Sequence, residues 1–337
     1  MFSRDWTPAD LFKLNLQTWA ACALQAAVKL DLFTALDRGP AQGLSIERLA
    51  ADLQLAPRAL GMLASALAAL YFLEREGDIL RLTEPSRRWL SADSPDYQGF
   101  SVIHSAHIMG NWVKLDQAVR SGTRPGVDPE EAAPEDEWRE AFLMAMFNVA
   151  RRQADRVAAA LDLSSRTRLL DLGGGPGTYA VHFCLRYPRL RATVFDRPGT
   201  EKFARSTFER FGLGERIDFV GGDFLDSSLP DGFDAVWLSQ VLHGEGPAEA
   251  ARLVGRGADS LTPGGLLAVQ EFIVDDDRRG PAMPTLFALN MLVQTPGGQS
   301  YTDGEIRDMM LKAGLSDIRR LSAELPPGCG ILTGLKR

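Results

Sequence analysis

The first part of the chain carries apolar side chains at helical spacing. From residue 11 to about residue 90 they recur every three or four positions, as in 18–30 and again in 46–53. Ser45 supplies an N-cap residue ahead of the second run, and Pro57 suits the first turn of the helix that follows. The pattern predicts short packed helices in the outline of a helix-turn-helix.

A different pattern follows in 72–82, where polar and apolar side chains alternate around Gly77 and Asp78. Such alternation predicts a β-hairpin, and a hairpin after a helix-turn-helix makes a winged helix. Many winged helices read DNA, but the expected recognition helix, 59–70, has almost no donors for base edges or phosphates. Its apolar surface favours another protein surface as its partner.

The second half of the chain alternates strand-like and helical runs. A Pro-, Gly- and acid-rich connection over 123–140 and a long helix from about 138 to 161 come first. The strand-like runs that follow are 168–172, 192–195, 217–220, 234–238 and 266–273. Their alternation with helices predicts an α/β fold with a Rossmann-like, mainly parallel, doubly wound sheet. We expect a helical winged-helix domain over 1–160 and the Rossmann-like domain over 161–337.

The composition mainly excludes certain classes of protein. The 337 residues are 45% hydrophobic and carry a formal net charge of −7, which is typical of a globular chain without the basic face that nucleic acids require. The three cysteines are far apart and show no metal or redox pairing. No run reaches the ~18 apolar residues of a membrane span, and no signal peptide is evident. We therefore expect a cytoplasmic protein with no nucleic-acid or membrane partner.

The first strand-like run leads into a glycine-dense turn, 173–177. A dinucleotide fingerprint would need a third glycine where Thr178 stands, and Pro176 interrupts the pattern. A pyrophosphate is therefore not the expected ligand. Asp171, just ahead of the turn, instead suits a ligand with a cationic amine, and S-adenosylmethionine is such a ligand.

Further acidic residues follow the next strand-like runs. Asp196 lies 25 residues beyond Asp171, close to the ~20-residue interval at which an acid takes ribose hydroxyls in Rossmann folds. Asp223 could accept from the adenine amine, with Phe224 against the ring. One aspartate alone could merely cap a helix or turn, but three together with the glycines favour a nucleoside ligand. The candidate cofactor-binding residues are Asp171, Gly173, Gly175, Asp196, Asp223, Phe224 and Ser239.

With these motifs in hand, the chain resembles the small-molecule O-methyltransferases, a family that includes caffeate, acetylserotonin and hydroxyneurosporene methyltransferases. The matching blocks are Leu49-Ala50, Leu80–Thr83, Asp171–Gly177, Phe195–Gly199, Gly221–Phe224, Val241–His243, Gln270-Glu271 and Thr295–Gly298. The resemblance implies S-adenosylmethionine as cofactor and a small-molecule acceptor. It also implies a homodimer in which the N-terminal domain closes part of the partner's substrate pocket.

Family members that methylate oxygen use a histidine matching His243 as base and an acid matching Glu271 to orient it. The chemistry agrees, because a phenol is a weak nucleophile until its proton is drawn off, and imidazole titrates near neutral pH. By the same resemblance, the acceptor contacts Met144, Phe147, Asn148, Asn290, Met291 and Thr295. Methionines and aromatics suit a flat apolar ring, although any one of them could be an ordinary core residue.

The chain departs from the family pattern in two places. After its histidine the family commonly reads Asp-Trp-Ser-Asp-Glu, whereas this chain has Glu245 in place of the tryptophan near the adenine. Ser300 stands where plant enzymes have a second acid, which leaves the base one orienting carboxylate. These departures admit a C-methyltransferase with a tetrapyrrole-like acceptor, or a cofactor-binding relative that no longer methylates.

Two further classes of protein were weighed. A nicotinamide oxidoreductase is opposed by the broken glycine fingerprint, and a DNA-binding regulator by the apolar recognition helix and the acidic balance. His104 and His107 could share a helical face, but no third ligand accompanies them at metal spacing. We expect these two histidines to be pocket or interface residues, and we predict no metal.

Overall fold

The computed structural model describes residues 5–126 and 135–337. By their contacts they form two units, which divide between His107 and Ile108. The sequence placed the domain boundary near 160, shortly before the first strand of the predicted sheet. The helical residues within 108–126 and 135–160 belong to the second unit, so the division by contacts comes earlier in the chain than the start of the sheet.

The first unit is the predicted winged helix. Its elements are α1 (Pro8–Lys29), α2 (Leu32–Arg38), β1 (Leu44–Ser45), α3 (Ile46–Asp52), α4 (Pro57–Ala69), β2 (Leu73–Glu76), β3 (Ile79–Leu82) and α5 (Glu84–Leu90), with α6 (Gly99–Trp112) running across the division. The Ser45 hydroxyl accepts from the Arg48 N–H at 3.2 Å and caps α3 as predicted. The hairpin is present, and β1 extends it to a three-stranded sheet.

Helix α1 keeps much of its apolar surface in solvent. Leu11, Phe12, Leu14 and Leu16 are exposed, and Trp19 is 71% exposed. Among the described residues no single helix is long and apolar enough to cross a membrane, and α1 passes that test only jointly with α2, as a pair bent by 53°. The core of the unit lies around the fully buried Leu49, Leu67 and Leu80, and α1 contributes only its C-terminal end to it, with Ala27 and Val28.

The second unit contains the large sheet and the helices that cover it. Its helices are α7 (Leu115–Ser121), α8 (Glu135–Arg151), α9 (Ala154–Ala160), α10 (Thr178–Arg186), α11 (Glu201–Arg210), α12 (Pro247–Asp259), α13 (Ala282–Gln294) and α14 (Asp303–Lys312), with 3₁₀ turns at Pro198–Thr200 and Leu242–Gly244. Its strands are β4 (Arg168–Leu172), β5 (Arg191–Asp196), β6 (Ile217–Gly221), β7 (Phe233–Ser239), β8 (Leu261–Val274), β9 (Tyr301–Thr302), β10 (Leu315–Arg320) and β11 (Cys329–Lys336).

The strand order of this sheet is β10-β11-β8-β7-β4-β5-β6, with β9 beside β8. The strands from β4 to β8 pair in parallel, which confirms the predicted Rossmann-like sheet, whereas β10 and β11 run antiparallel at one edge. Because the carboxyl ends of parallel strands meet at one edge, the residues after β4, β5, β6 and β7 lie at the same crevice.

Both faces of the sheet are buried. Neighbouring residues of β4 enter different cores: Leu169 packs with Phe183 and Trp237, and Leu170 packs with Leu253 and others on the opposite face. Parallel strands that are covered on both faces have continuous apolar sequences, and this is why the strands could be predicted from the sequence. The two buried cores therefore hold the strand ends at the crevice in fixed positions.

The predicted long helix over 138–161 is broken. Helix α8 ends at Arg151 and α9 begins at Ala154, with Gln153 between them. The Gln153 amide donates to the Tyr179 hydroxyl of α10 at 2.9 Å, so a buried tertiary hydrogen bond is made at the break. Part of the connection predicted over 123–140 lies outside the described residues.

Candidate active site

The glycine turn after β4 has the backbone of a ligand cradle. Gly173, Gly175 and Gly177 have φ values of +73°, +55° and +72°, a region that residues with a side chain rarely adopt. The Gly173 N–H donates to the Phe195 carbonyl at 2.8 Å and ties the turn to β5. A Cβ on Gly173 would lie 2.7 Å from the Val241 side chain, whereas one on Gly175 would meet only Leu143 of α8 at 3.9 Å. The turn therefore leaves backbone open beside α8.

Asp171 lies buried beneath this turn. Its Oδ2 accepts from the Ala180 N–H of α10 at 3.3 Å, and a Cβ on Gly174 would lie 2.6 Å from its carboxyl carbon. Burial raises the pKa of Asp171 to about 7, against the lowering effect of the Ala180 hydrogen bond. The carboxylate thus joins the turn to α10, and its predicted contact with a cationic amine stays a prediction.

Asp196 ends β5 beside the turn. Its Oδ2 accepts from the Gly175 N–H at 2.8 Å, and its Oδ1 accepts from the Arg197 N–H at 2.7 Å and the Thr200 hydroxyl at 3.1 Å. Burial raises the pKa of this carboxyl, although all three hydrogen bonds act to lower it. The side chain is therefore fixed at the crevice edge, where the sequence predicted a ribose contact.

Asp223 and Phe224 follow β6 at the same edge. The Asp223 Oδ1 accepts from the Leu225 N–H at 2.8 Å, and the Asp223 N–H donates to the Ser227 hydroxyl at 2.9 Å. Within the described parts of the chain, the Asp223 Oδ2 accepts no hydrogen bond, and its predicted contact with the adenine amine stays a prediction. Phe224 is partly buried against the core beside it.

Ser239, at the end of β7, lies beside a group of buried polar side chains. This group was not predicted from the sequence. The Ser239 hydroxyl donates to Gln270 Oε1 at 3.1 Å, and Gln270 lies fully buried next to Glu271. The following residue, Gln240, has φ +57°, and its buried amide nitrogen has no partner among residues 5–126 and 135–337. A strained backbone and an unpartnered donor at a crevice are typical of a binding site.

His243 and Glu271 form a close pair across the sheet edge. His243 lies in the 3₁₀ turn after β7, and its Nδ1 is 2.8 Å from Glu271 Oε2 of β8. The His243 N–H also donates to Glu271 Oε1 at 3.3 Å. The side chain of Glu271 is 1% exposed and that of His243 is 13% exposed. Because Nδ1 faces a carboxylate, it carries the proton of the neutral ring and leaves Nε2 as an acceptor.

The loop after α13 closes on the backbone of this histidine. The Gln299 N–H donates to the His243 carbonyl at 2.9 Å, and a Cβ on Gly298 would lie 2.3 Å from the same oxygen. The neighbouring Ser300 is buried and its hydroxyl donates to the Pro284 carbonyl at 2.8 Å. In the described chain, Glu271 is thus the one carboxylate bonded to the imidazole.

Glu245, which replaces the family tryptophan, is half-buried. Its carbonyl accepts from the Tyr301 hydroxyl at 2.6 Å. Burial raises the pKa of its carboxyl, and the charges of Glu249 and Asp223 act in the same direction. The substitution therefore places a second acid on the Asp223 side of the crevice.

The predicted acceptor residues of α13 have different roles. Asn290 Oδ1 accepts from the Trp112 indole N–H at 2.8 Å, and Met291 is buried. The Thr295 hydroxyl donates to the Met291 carbonyl and accepts from the Gly298 N–H, both at 2.8 Å. The hydroxyl of Thr295 is thus used by the backbone at the end of α13.

The predicted acceptor residues of α8 lie partly inside the fold. Phe147 and Asn148 are buried, Met144 is half-buried, and the Arg210 guanidinium of α11 lies 5.6 Å from the Phe147 ring. That these three side chains contact an acceptor stays a prediction.

The other histidines are on α6 and α10. His104 and His107 are on α6, and burial lowers the pKa of His104 to about 4, so its ring is neutral at pH 7. His182 Nδ1 of α10 lies 2.6 Å from Asp155 Oδ1 of α9. In the parts of the chain that the structure describes, no three His, Cys, Asp or Glu side chains come together in a metal-binding group.

Comparison with known families assigns the chain. Residues 112–316 match the O-methyltransferase domain family, and residues 12–92 match the O-methyltransferase dimerisation domain. The chain belongs to the O-methyltransferase family, and the resemblance drawn from the motifs is confirmed. It is an S-adenosylmethionine-dependent O-methyltransferase with an N-terminal dimerisation domain.

Individual relatives cover nearly the whole chain. The 3-hydroxy-5-methyl-1-naphthoate 3-O-methyltransferase of Streptomyces sahachiroi is 32% identical over 98% of this chain and 95% of its own. The tetracenomycin polyketide synthesis 8-O-methyl transferase of Streptomyces glaucescens is 33% identical over 95% and 94%. The crystal structure of human N-acetylserotonin methyltransferase in complex with S-adenosylmethionine has a TM-score of 0.85 at 29% identity, covering 100% of this chain and 99% of that one.

The residues of the crevice fit S-adenosylmethionine. The turn leaves open space at Gly175, fixed carboxylates lie at the end of β5 and after β6, and an amide donor without a partner in the described residues follows β7. This combination matches a nucleoside with an amino acid tail better than a pyrophosphate.

Proposed function

We propose that this enzyme methylates a hydroxyl group of an aromatic or polyketide-like small molecule, with His243 as general base and Glu271 as the group that orients it. The 2.8 Å contact between His243 Nδ1 and the buried Glu271 carboxylate carries this proposal. The relatives described above are named for naphthoate and polyketide oxygen acceptors, which favours oxygen over the carbon acceptor and over a chain that no longer methylates.

In this mechanism the protein moves one proton and orients two molecules. His243 Nε2 accepts the hydroxyl proton as the acceptor oxygen forms its bond to carbon, and the buried Glu271 carboxylate stabilises the resulting imidazolium. S-adenosylmethionine supplies the methyl group on a sulfonium, whose sulfur leaves with the electron pair of the broken bond. Positioning of this kind contributes up to roughly 7–11 kcal/mol in well-oriented systems.

The roles of the crevice residues follow from their places on the sheet edge. We assign the ribose hydroxyls to Asp196, the adenine amine to Asp223, the adenine face to Phe224, and the amino acid tail to Asp171, Gly173, Gly175 and Ser239. The hydrogen bonds that fix Asp196 and Asp223 support the first two roles. For both carboxylates, the protein supplies the geometry before the ligand arrives.

The acceptor is assigned to the space between α8 and α13. We propose Met144, Phe147, Asn148, Asn290, Met291 and Thr295 as its surroundings. Among these residues, Asn290 has the strongest support for this role. The Trp112 indole N–H donates to its amide oxygen and so fixes the orientation of its amide group. A polar group of the acceptor would meet the amide nitrogen.

We also propose that the enzyme works as a cytoplasmic homodimer. The dimerisation family covers α1 to α5, and α1 exposes a run of large apolar side chains that includes Trp19. A second copy that covers this face would remove the run from water.

A methyl-transfer assay tests the proposed function. Labelled S-adenosylmethionine is supplied with phenolic, polyketide and tetrapyrrole acceptors to the unmodified enzyme, His243→Ala and His182→Ala, after cofactor binding by each is confirmed. His182 is the matched control, because it also pairs with a carboxylate, Asp155, but on elements other than those that carry His243 and Glu271. We expect labelled methyl ethers from the unmodified enzyme and the control, and a large loss in His243→Ala. Carbon-methylated product, or full transfer by His243→Ala, would contradict the proposal.

A further inference from the structure

The hydrogen bond to Glu271 does not fix the imidazole of His243 by itself. It holds only one ring atom, Nδ1, and rotation of the ring about the Cβ–Cγ bond would take Nδ1 off Glu271 and turn Nε2 away from an acceptor. A base that works in a defined direction needs a second contact on its ring.

Phe287 of α13 supplies a contact of this kind. Its ring centroid lies 4.8 Å from that of His243, and the two planes meet at 84°. This edge-to-face arrangement is a favourable geometry for two rings and has a defined orientation. Any pivot of the imidazole would disturb it.

Phe287 is itself held from two directions. Its ring lies 4.6 Å from that of Phe272 on β8, and the Phe272 N–H donates to Glu271 Oε2 at 3.2 Å. One strand therefore holds both the carboxylate and the ring behind Phe287.

The helix that carries Phe287 is anchored further along. Besides the bond between Trp112 and Asn290, the Asn111 amide donates to Gln294 Oε1 at 2.9 Å, and the Gln294 amide donates to the Ile108 carbonyl at 3.1 Å. These bonds fix the C-terminal part of α13, so the position of Phe287 does not depend on the aromatic contact alone.

We propose that Phe287 is a positioning residue for the general base: its ring fixes the plane of the His243 imidazole so that Nδ1 stays on Glu271 and Nε2 faces the acceptor. This proposal rests on the proposed role of His243 in the reaction. It differs from a role for Phe287 as part of the acceptor pocket, which would change acceptor binding and leave the imidazole as it is.

The test compares Phe287→Leu, Phe287→Tyr and Leu286→Ala. Leucine keeps an apolar group without a ring, and tyrosine restores the ring. Leu286 is the neighbouring residue on α13, is 45% exposed and serves as control. The chain has four histidines, so nitrogen NMR of ¹⁵N-histidine-labelled enzyme can resolve the His243 ring, which His243→Ala assigns.

For Phe287→Leu we expect the ring-nitrogen shifts of His243 to move from a single Nδ1–H tautomer towards a mixture, and kcat to fall about tenfold. The acceptor KM should stay within about twofold and the cofactor Kd should not change, since neither site loses a contact. Phe287→Tyr should restore the nitrogen shifts and most of kcat, and Leu286→Ala should match the unmodified enzyme.

Unchanged nitrogen shifts in Phe287→Leu would overturn the proposal, as would a loss confined to the acceptor KM. The NMR readout needs no turnover. If His243→Ala keeps full activity, the base role fails, whereas the positioning of the ring by Phe287 is still decided by the nitrogen shifts.

Discussion

The proposed cofactor side and the proposed acceptor side of this site are held together in different ways. On the cofactor side, Asp171, Asp196 and Asp223 each accept hydrogen bonds from backbone N–H groups at the ends of strands or the starts of helices. On the acceptor side, His243 and Asn290 are held mainly by other side chains, through contacts of α13 with β8 and with Trp112. The backbone of the fold therefore sets the geometry of the proposed cofactor side. A few side-chain substitutions can change the geometry of the proposed acceptor side.

This difference suits an enzyme family with one cofactor and many acceptors. Backbone hydrogen bonds keep the cofactor edge constant, while side chains on two helices can vary with the acceptor. The predictions below test this division, beginning with the largest effect.

Replacing the carboxylate behind the base should have the largest effect. In Glu271→Gln the imidazolium formed during transfer loses its buried countercharge, so we expect kcat to fall by about 10²-fold, within the range that general acid–base catalysis contributes. The cofactor Kd should not change. Single-turnover rates and calorimetric titration measure the two quantities. Asp155→Asn, which alters the pair at His182, is the control, and an equal loss there would refute a specific role for Glu271.

The pH dependence of stability tests the cofactor side. Burial raises the pKa of Asp171 from 3.8 to about 7, so the folded chain binds this proton more tightly than the unfolded chain. Ionisation of Asp171 therefore lowers the free energy of unfolding. This loss is absent below about pH 4 and grows as the pH rises to about 7.

Asp171→Asn should remove that loss, because asparagine keeps an oxygen for the Ala180 N–H and carries no charge. Denaturant unfolding without cofactor should show a gain for the variant of at most about 4 kcal/mol at pH 8 and none at pH 4. A gain that is the same at both pH values would contradict this account. Saturating S-adenosylmethionine should reduce the stability gain of Asp171→Asn if the amine of the cofactor contacts the Asp171 carboxylate.

The glycine turn tests whether backbone geometry controls cofactor binding. Gly173→Ala puts a side chain at φ +73° and 2.7 Å from Val241, so we expect the cofactor Kd to rise about tenfold or more. Gly212→Ala is the matched control, since it also has positive φ but faces open space. It should lose about 1 kcal/mol of stability and no cofactor affinity. Equal Kd values for both variants would show that the turn tolerates a side chain.

The smallest effect is expected on the acceptor side. Trp112→Phe removes the indole donor to Asn290 and should raise the acceptor KM by about fivefold, which corresponds to a hydrogen bond of about 1 kcal/mol. The cofactor Kd should remain unchanged. A change in the cofactor Kd, measured by titration, would show that the two sides of the site are not separable.

Sequence reasoning could predict the glycine turn and the carboxylates of the proposed cofactor side because these features are local. The glycines at 173–177 and the acids after β5 and β6 stand next to the strands that position them, and apolar runs mark strands covered on both faces. It also paired His243 with Glu271, but through family resemblance, because these residues meet only when β7 and β8 align.

What the sequence could not supply depends on contacts between distant elements. The break at Gln153 follows from a hydrogen bond to Tyr179, and the use of the Thr295 hydroxyl follows from the loop that returns to His243. Strand β10 carries a mixed polar pattern at the sheet edge, where the burial signal is weaker, and two glycines interrupt the apolar run of the buried strand β11. Phe287 could not be distinguished from a core residue of an apolar helix.

The central claim is that His243 removes the proton of the acceptor hydroxyl, and single-turnover transfer to phenols of graded acidity tests it most directly. The unmodified enzyme and His243→Ala, both preloaded with S-adenosylmethionine, are compared over a series of phenols that differ mainly in pKa. We expect the unmodified enzyme to depend weakly on acidity, and the loss in His243→Ala to shrink for phenols already ionised at the assay pH. A loss that is the same for every phenol, or no loss at all, would contradict a base role for His243.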